Sequence, residues 1–360
     1  MQYKNYDVSH NPGGDEPLLT IRNLRTSFFT GAGEIAAVRG VSLTVRRGEC
    51  LGVVGESGSG KSVTFLSALR LLAPAGRVMG GEIRFQGRDL LNMRLKEMRE
   101  VRGARIAMIF QDPLSSLNPL IPIGKQVDEM LWAHEKNLTA RQRKDKTLEL
   151  LTKAHIPEAE RRYGSYPHEF SGGMRQRVMI AMALACKPDL LVADEPTTAL
   201  DVSIQNQILR LIKSLQSEMG MGVAFITHDL GVIAQMCTRV SVLYGGLVME
   251  DAAADDLFDR PLHPYTEGLL TSMPSLMQDR SIRLSPIPGS PPDMSAPPSG
   301  CPFAPRCAHA RNICVSQMPP TYTYADGRQS RCWLHSHDAP AFDNPYRDIR
   351  GTAVPDEEAL

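Results

Sequence analysis

The period of the apolar positions changes several times along the chain, and each change marks a different kind of element. From Leu18 to Val54 short β-rich runs alternate with glycine turns, and the pattern resumes at Glu82–Phe85, which predicts a mostly antiparallel sheet beside a parallel core. Between Ile123 and Ala154 the period becomes helical. Thr139 with Gln142 three residues on predicts a capping box, and Leu148, Leu150 and Leu151 form the apolar stripe of a helix otherwise covered in Lys, Arg and Glu. A helical insertion is therefore expected over about residues 112–170. Beyond it, Leu190–Ala193, Val223–Thr227 and Val240–Leu243 are short apolar runs bounded by polar turns, which predicts buried strands separated by helices such as Ile204–Met219. The core is expected to be α/β with a largely parallel sheet. Residues 286–305 hold eight prolines, too many for regular helix or sheet, and mark a connector or a loop-built module. No internal repeat is visible, so the unit occurs once.

Composition narrows the class. A chain of 360 residues with 42% hydrophobic content can bury a substantial core in two or three domains. Lys plus Arg equals Asp plus Glu at 40 each, so no long-range field gathers the chain onto nucleic acid or anionic lipid. Met1–Glu16 is polar without a signal pattern, and the longest apolar stretch, Val178–Cys186, is too short to span a bilayer. These features predict a cytosolic protein, or one attached to a membrane only through partners. Cys50, Cys186 and Cys237 lie in apolar segments and are expected to be buried small hydrophobes.

Chemistry enters at a glycine-rich turn. Gly55-Glu56-Ser57-Gly58-Ser59-Gly60-Lys61-Ser62 follows the apolar run Leu51–Val54 and precedes the helical run Val63–Leu72, the context a phosphate-binding loop requires. Glycines let successive N–H groups face the phosphates, and the following helix presents its positive end to them. Lys61 is expected to bridge the β- and γ-phosphates of ATP, and the Ser62 hydroxyl to bind magnesium. Leu190–Ala193 runs into Asp194-Glu195, which places acid at the carboxyl edge of the sheet, where the loop also opens. Asp194 is expected to hold magnesium, and Glu195 to polarise the water that attacks the γ-phosphate.

Phe170-Ser171-Gly172-Gly173-Met174-Arg175-Gln176-Arg177, about twenty residues before the acidic strand, resembles the signature sequence of ABC ATPases. The resemblance covers about residues 17–250 and implies the P-loop ABC-type fold: a mixed core with antiparallel β and helical subdomains. It assigns Gln111 to the Q-loop, near metal or attacking water, Asp201 to the D-loop, His228 to the switch histidine and Phe28 to the aromatic under adenine. Ser171, Gly172 and Gly173, ahead of a helix expected over Arg175–Cys186, resemble the family's second anion site, which grips the nucleotide of a partner ATPase subunit. The family's usual signature has Leu where Phe170 stands and Gln where Met174 stands.

A narrower resemblance extends to about residue 335. Asp112-Pro113-Leu114-Ser115-Ser116-Leu117-Asn118-Pro119, His263-Pro264-Tyr265-Thr266 and four late cysteines resemble the ATPase subunits of bacterial oligopeptide and dipeptide importers. It implies a heterodimer of ATPases, two transmembrane permease subunits, an extracytoplasmic substrate-binding protein and a position at the cytoplasmic face of the inner membrane. Relatives with the same extension import nickel or glutathione, so those cargoes stay open. The rival classes are a nucleic-acid ATPase, an exporter ATPase and a redox sensor; the paired cassettes, coiled-coil arms and fused membrane helices typical of the first two are not visible.

Cys301, Cys307, Cys314 and Cys332 are separated by five, six and seventeen residues, in a region expected to be too small for its own apolar core. Zinc sites commonly pair ligands two to four residues apart, whereas four thiolates on irregular loops suit a 4Fe-4S cluster. The order of preference is iron-sulfur, then zinc, then disulfides, and the importer family carries such a cluster at matching cysteines. The expected division is an ATPase domain at 17–260, an extension at 261–337 and a flexible tail at 338–360.

Overall fold

The computed structural model describes residues 17–112, 116–198, 200–272, 286–339, 344–346, 348–349 and 351–356. Met1–Glu16, Pro113, Leu114, Ser115 and Ala199 of the motifs above lie outside the described residues, as does part of the segment expected to be a tail.

Two sheets organise the chain. The smaller is antiparallel, in the order β2-β1-β4-β5, from β1 (Leu19–Thr30), β2 (Gly33–Val45), β4 (Gly76–Phe85) and β5 (Arg88–Asp89). The larger contains a parallel block of β3 (Cys50–Val54), β6 (Ile106–Ile109), β7 (Leu190–Asp194), β8 (Gly222–Ile226) and β9 (Arg239–Tyr244), ordered β9-β3-β8-β7-β6. Alternation along these strands explains why they read as unbroken apolar runs. Leu51 and Val53, Leu190 and Val192, and Ala224 and Ile226 pack into the core shared with the antiparallel sheet. Cys50 and Val54, Leu191 and Ala193, and Val223 and Phe225 point the other way, into the core shared with the helices. A strand buried on both faces has no polar side to show. Gly52 faces the helical side, where a Cβ would lie 2.7 Å from the Ile233 side chain, so the helix Leu230–Met236 can rest directly on β3.

The helical insertion is present as Ile123–His134, Ala140–Lys153 and the short Ala159–Arg162. Its capping box forms as expected: Gln142 N–H donates to Thr139 Oγ1 at 3.3 Å and Thr139 N–H donates to Gln142 Oε1 at 2.9 Å. Among the described residues no helix is long and apolar enough to cross a membrane.

The proline-rich residues 286–305, expected to be a connector or a loop-built module, form no strand and no α-helix. Around them the chain extends the larger sheet beyond β9 through β10 (Leu247–Ala253), β11 (Thr321–Thr323) and β12 (Gln329–Ser330). Cys301, Phe303 and Ala304 also join the helical-side core, so the region shares the cassette's apolar interior. The segment expected to be a flexible tail contains β13 (Val354–Asp356), antiparallel to β11, and buries Asn344 and Tyr346. Backbone pairing to an open sheet edge holds it, a long-range contact that composition does not reveal.

At this junction three titratable side chains are almost wholly buried: Glu250, His263 and His335. Burial pushes the Glu250 carboxyl up to about 7, and pushes His263 and His335 down to about 3 and about 4. The folded state therefore holds a proton on Glu250 that the unfolded chain releases above 4.5, a cost that grows with pH up to about 7. The histidines act oppositely: the unfolded chain protonates them below 6.5 and the folded one resists, so their cost grows as pH falls. Glu250→Gln is expected to gain stability relative to the parent chain as pH rises from 5 to 7, by up to about 1.4 kcal/mol per pH unit. His335→Gln should gain relative to it as pH falls over the same span. Thermal unfolding midpoints across that range check both signs.

Candidate nucleotide site

The candidate site lies along the carboxyl edge of the parallel strands. At the end of β3, Gly55 takes φ +148°, and a Cβ there would lie 2.1 Å from the Leu243 carbonyl oxygen, so only glycine lets the chain turn. Gly60, also left-handed, is the N-cap of the helix Lys61–Ala68 and offers no side chain to it. The first amides of that helix are thus left for an external anion. Lys61 Nζ donates to the carbonyl oxygens of Gly55 at 2.8 Å and Glu56 at 2.9 Å, folded across the loop. Burial lowers its ammonium pKa, while the charges of Glu195, Asp194 and Glu56 act to raise it.

The loop meets the acidic strand end directly. Ser62 Oγ donates to Asp194 Oδ1 at 2.8 Å, joining residues 132 positions apart. Burial raises the Asp194 carboxyl, and the Ser62 hydrogen bond opposes that shift. A hydroxyl and a carboxylate oxygen are hard donors that suit a magnesium ion, so these two residues fit the cation expected with ATP.

Glu195 is the most constrained group in the site. Its backbone sits at φ +45°, uncommon for a residue with a side chain, and is anchored by its N–H donating to the Ile226 carbonyl at 2.9 Å. Gln111 Nε2 donates to Glu195 Oε2 at 3.0 Å, and the Thr198 hydroxyl donates to the same oxygen at 2.9 Å. His228 Nδ1 lies 3.1 Å from Glu195 Oε1. Burial would raise this carboxyl, but the His228 and Thr198 hydrogen bonds and the His228 and Lys61 charges outweigh it, leaving a net lowering. Glu195 is therefore held ionised, aimed and able to accept a proton. The structure brings Gln111 and His228, which the family resemblance singled out, onto Glu195, and adds Thr198, which sequence reasoning missed. A hydroxyl three residues past the acidic pair, in the turn Pro196-Thr197-Thr198, was the available signal.

The signature residues stand differently. Ser171 caps the helix Gly172–Leu184 by accepting from Met174 N–H at 3.4 Å, so the helix begins earlier than expected. Gly173 lies under Ile204, where a Cβ would come within 2.5 Å of Cγ2, and Asp201 caps the helix Val202–Met219 by accepting from Ile204 N–H at 2.9 Å. These hydrogen bonds are local, and neither cap reaches the phosphate loop. Phe170 is buried beneath the Arg162 guanidinium, which accommodates an aromatic ring at that position. Phe28 is half-buried on β1, with its ring over Gly76.

The four late cysteines are all free. Burial pushes the Cys301, Cys307 and Cys332 thiols up, and Cys301, Cys307 and Cys314 are near enough to Cys332 to act on its charge. Among the described residues no three Cys, His, Asp or Glu side chains draw together into a site for a single metal ion.

Comparison with known proteins agrees with this geometry. A family model for the ABC transporter matches residues 38–198, and one for the oligopeptide/dipeptide transporter C-terminal region matches residues 249–314. The chain is 50% identical to the oligopeptide transport ATP-binding protein OppD of Bacillus subtilis, covering 91% of this chain and 92% of that one. It is 48% identical to the dipeptide transport ATP-binding protein DppD of the same organism, covering 90% and 96% respectively. Among solved structures, a dimeric ATP-binding cassette in a post-hydrolysis state bound to ADP and Pi superposes with a TM-score of 0.59 at 30% identity, over 66% of this chain and 98% of that one. The chain belongs to the ABC transporter ATPases, with the C-terminal region characteristic of oligopeptide/dipeptide transporters.

Proposed function

We propose that this chain hydrolyses ATP to drive import of oligopeptides or dipeptides across the bacterial inner membrane, as one of two ATPase subunits of an ABC importer. The observation that carries the reading is the convergence of Gln111, Thr198 and His228 on Glu195 beside the Ser62–Asp194 pair, in a chain half identical to a peptide-transport ATPase.

The loop amides and Lys61 bind the phosphates, and Lys61 exchanges its present contacts with the loop carbonyls for the β- and γ-phosphate oxygens. Ser62 and Asp194, with Gln111, would hold magnesium, which supplies charge neutralisation at the phosphates. Glu195 accepts the proton of the attacking water, and His228 and Gln111 fix its orientation. Phe28 stacks under adenine. Ser171, Gly172, Gly173 and Asp201 face the nucleotide of the partner ATPase, so each site is completed across the dimer. Closure reaches the permease subunits through the helical insertion and the Gln111 loop, and hydrolysis reopens the pair. Membrane contact is assigned to the two permease subunits, cargo selection to an extracytoplasmic binding protein, and the chain itself to the cytoplasmic face.

The ATPase unit is assigned to residues 17–260 and the extension to 261–337. Within the extension, Cys301, Cys307, Cys314 and Cys332 would hold a 4Fe-4S cluster. Four free thiols in one region support a bound group, and their spacings of five, six and seventeen residues favour iron-sulfur over zinc, whose ligands commonly pair two to four residues apart.

Glu195→Gln is expected to keep ATP binding and lose turnover by about 10²- to 10⁴-fold, abolishing labelled-peptide uptake in cells that depend on this subunit. Lys61→Ala should weaken ATP binding itself by about 10- to 100-fold in a direct titration. Normal turnover in the first variant would remove Glu195 from the role of base. Anaerobic purification with metal and sulfide analysis should find about four irons and four sulfides per chain, lost in Cys301→Ser; zinc, or no metal, would reject the cluster.

A further inference from the structure

The phosphate loop is gripped from outside the cassette's own motifs. Glu56, the second residue of the loop, is held at its backbone and at its side chain by two residues of the C-terminal region. Its N–H donates at 2.9 Å to the hydroxyl of Tyr265, a fully buried residue in the first turn of the helix Pro264–Thr271. Its carboxylate receives a two-pronged ion pair from Arg306, with Nη1 to Oε2 at 2.7 Å and Nη2 to Oε1 at 3.0 Å.

All five N–H groups of Arg306 are used. Besides the two prongs, Nη1 donates to the Tyr244 hydroxyl at 3.0 Å, Nη2 to the Ile287 carbonyl at 3.2 Å and Nε to the Pro288 carbonyl at 2.8 Å. The guanidinium also lies over the rings of Tyr244 and Phe303, and its side chain is only 5% exposed. A cation this fully coordinated is fixed in place, and it fixes what it binds. Arg306 directly precedes Cys307, so the grip belongs to the cysteine-bearing turn.

The electrostatic consequence follows from where Glu56 sits. A carboxylate in a loop that must receive phosphate repels the ligand unless its charge is compensated, and Arg306 makes the compensating pair. The Glu56 carbonyl oxygen also accepts from Lys61 Nζ at 2.9 Å, so displacement of Glu56 moves a contact of the phosphate-binding lysine.

We infer that Arg306 is a positioning residue for the phosphate loop: by pairing with Glu56 it neutralises and immobilises the loop, so that nucleotide affinity of the cassette depends on the cysteine-bearing extension. The inference rests on the reading of this loop as the ATP site and adds to it a residue that no nucleotide-binding motif contains.

A double-mutant cycle in the full chain tests it, with ATP affinity, KM and kcat as readouts. Arg306→Gln should weaken ATP binding and raise KM by about tenfold while kcat stays within about twofold, because the carboxylate is left unpaired beside the phosphates and the Glu195 group is untouched. Combining it with Glu56→Gln removes the offending charge and should recover most of the affinity. An unchanged KM in Arg306→Gln, or a double variant as weak as the product of the singles, overturns the inference. If Arg306→Gln does not unfold cooperatively, Arg306→Lys replaces it: it keeps the charge but loses the fork, and about a threefold rise in KM is expected, with no rise counting against the inference. Lys61→Ala serves as the reference. A loss in Lys61→Ala without one at Arg306 rejects the positioning role alone, whereas no loss in Lys61→Ala rejects the ATP reading of the loop.

Discussion

The parallel pairing of β3, β8 and β7 is the constraint from which the rest of the site follows. Val53 aligns with Ile226, and Ile226 with Asp194, so the three strands end level with one another. The segments that leave those ends are the phosphate loop, Thr227-His228 and Glu195, which arrive at one edge because their strands do. The Ser62–Asp194 and His228–Glu195 contacts are consequences of this alignment, as is the bond from Glu195 N–H to the Ile226 carbonyl that holds its unusual backbone. Burial of the strands on both faces secures the register, since a slip by one residue would exchange the side chains of two different cores.

The same sheet explains the attachment of the C-terminal region. Strands β10, β12, β11 and β13 extend it by antiparallel pairing beyond β9, while Phe303 packs against Tyr244 and Tyr265 at the end of β9. The proline-rich strap also reaches the smaller sheet, where Ala36 N–H donates to the Met294 carbonyl and Arg39 to that of Pro298. The region therefore touches both sheets and the phosphate loop, an arrangement unlike a module joined by a single linker.

In Glu195 three hydrogen-bonding neighbours come from three separate parts of the chain: Gln111 beyond β6, Thr198 in its own turn and His228 beyond β8. A carboxylate held in this way is fixed in orientation, and its net lowered pKa follows from hydrogen bonds and neighbouring positive charge overcoming the burial cost. Among the described residues, the hydrogen bonds of Ser171 and Asp201 are local caps on their own helices.

The buried strands, the phosphate loop, the capping box and the acidic strand end were legible in the sequence because each is a local pattern: period, glycine spacing, cap residues or charge at the end of an apolar run. Gln111, His228 and the signature were legible only through family resemblance, since an isolated glutamine or histidine carries no local mark of its partner. Thr198, the Arg306–Glu56 fork and the strand at 354–356 were decided by tertiary structure. The fork joins residues 250 positions apart, and nothing in the composition around either one announces the other. By itself the sequence determined which elements form and which residues carry chemistry suited to phosphate and magnesium; only the packed sheet decided which of them meet, because hydrogen bonds and ion pairs between distant residues exist only once strand register has set their distance.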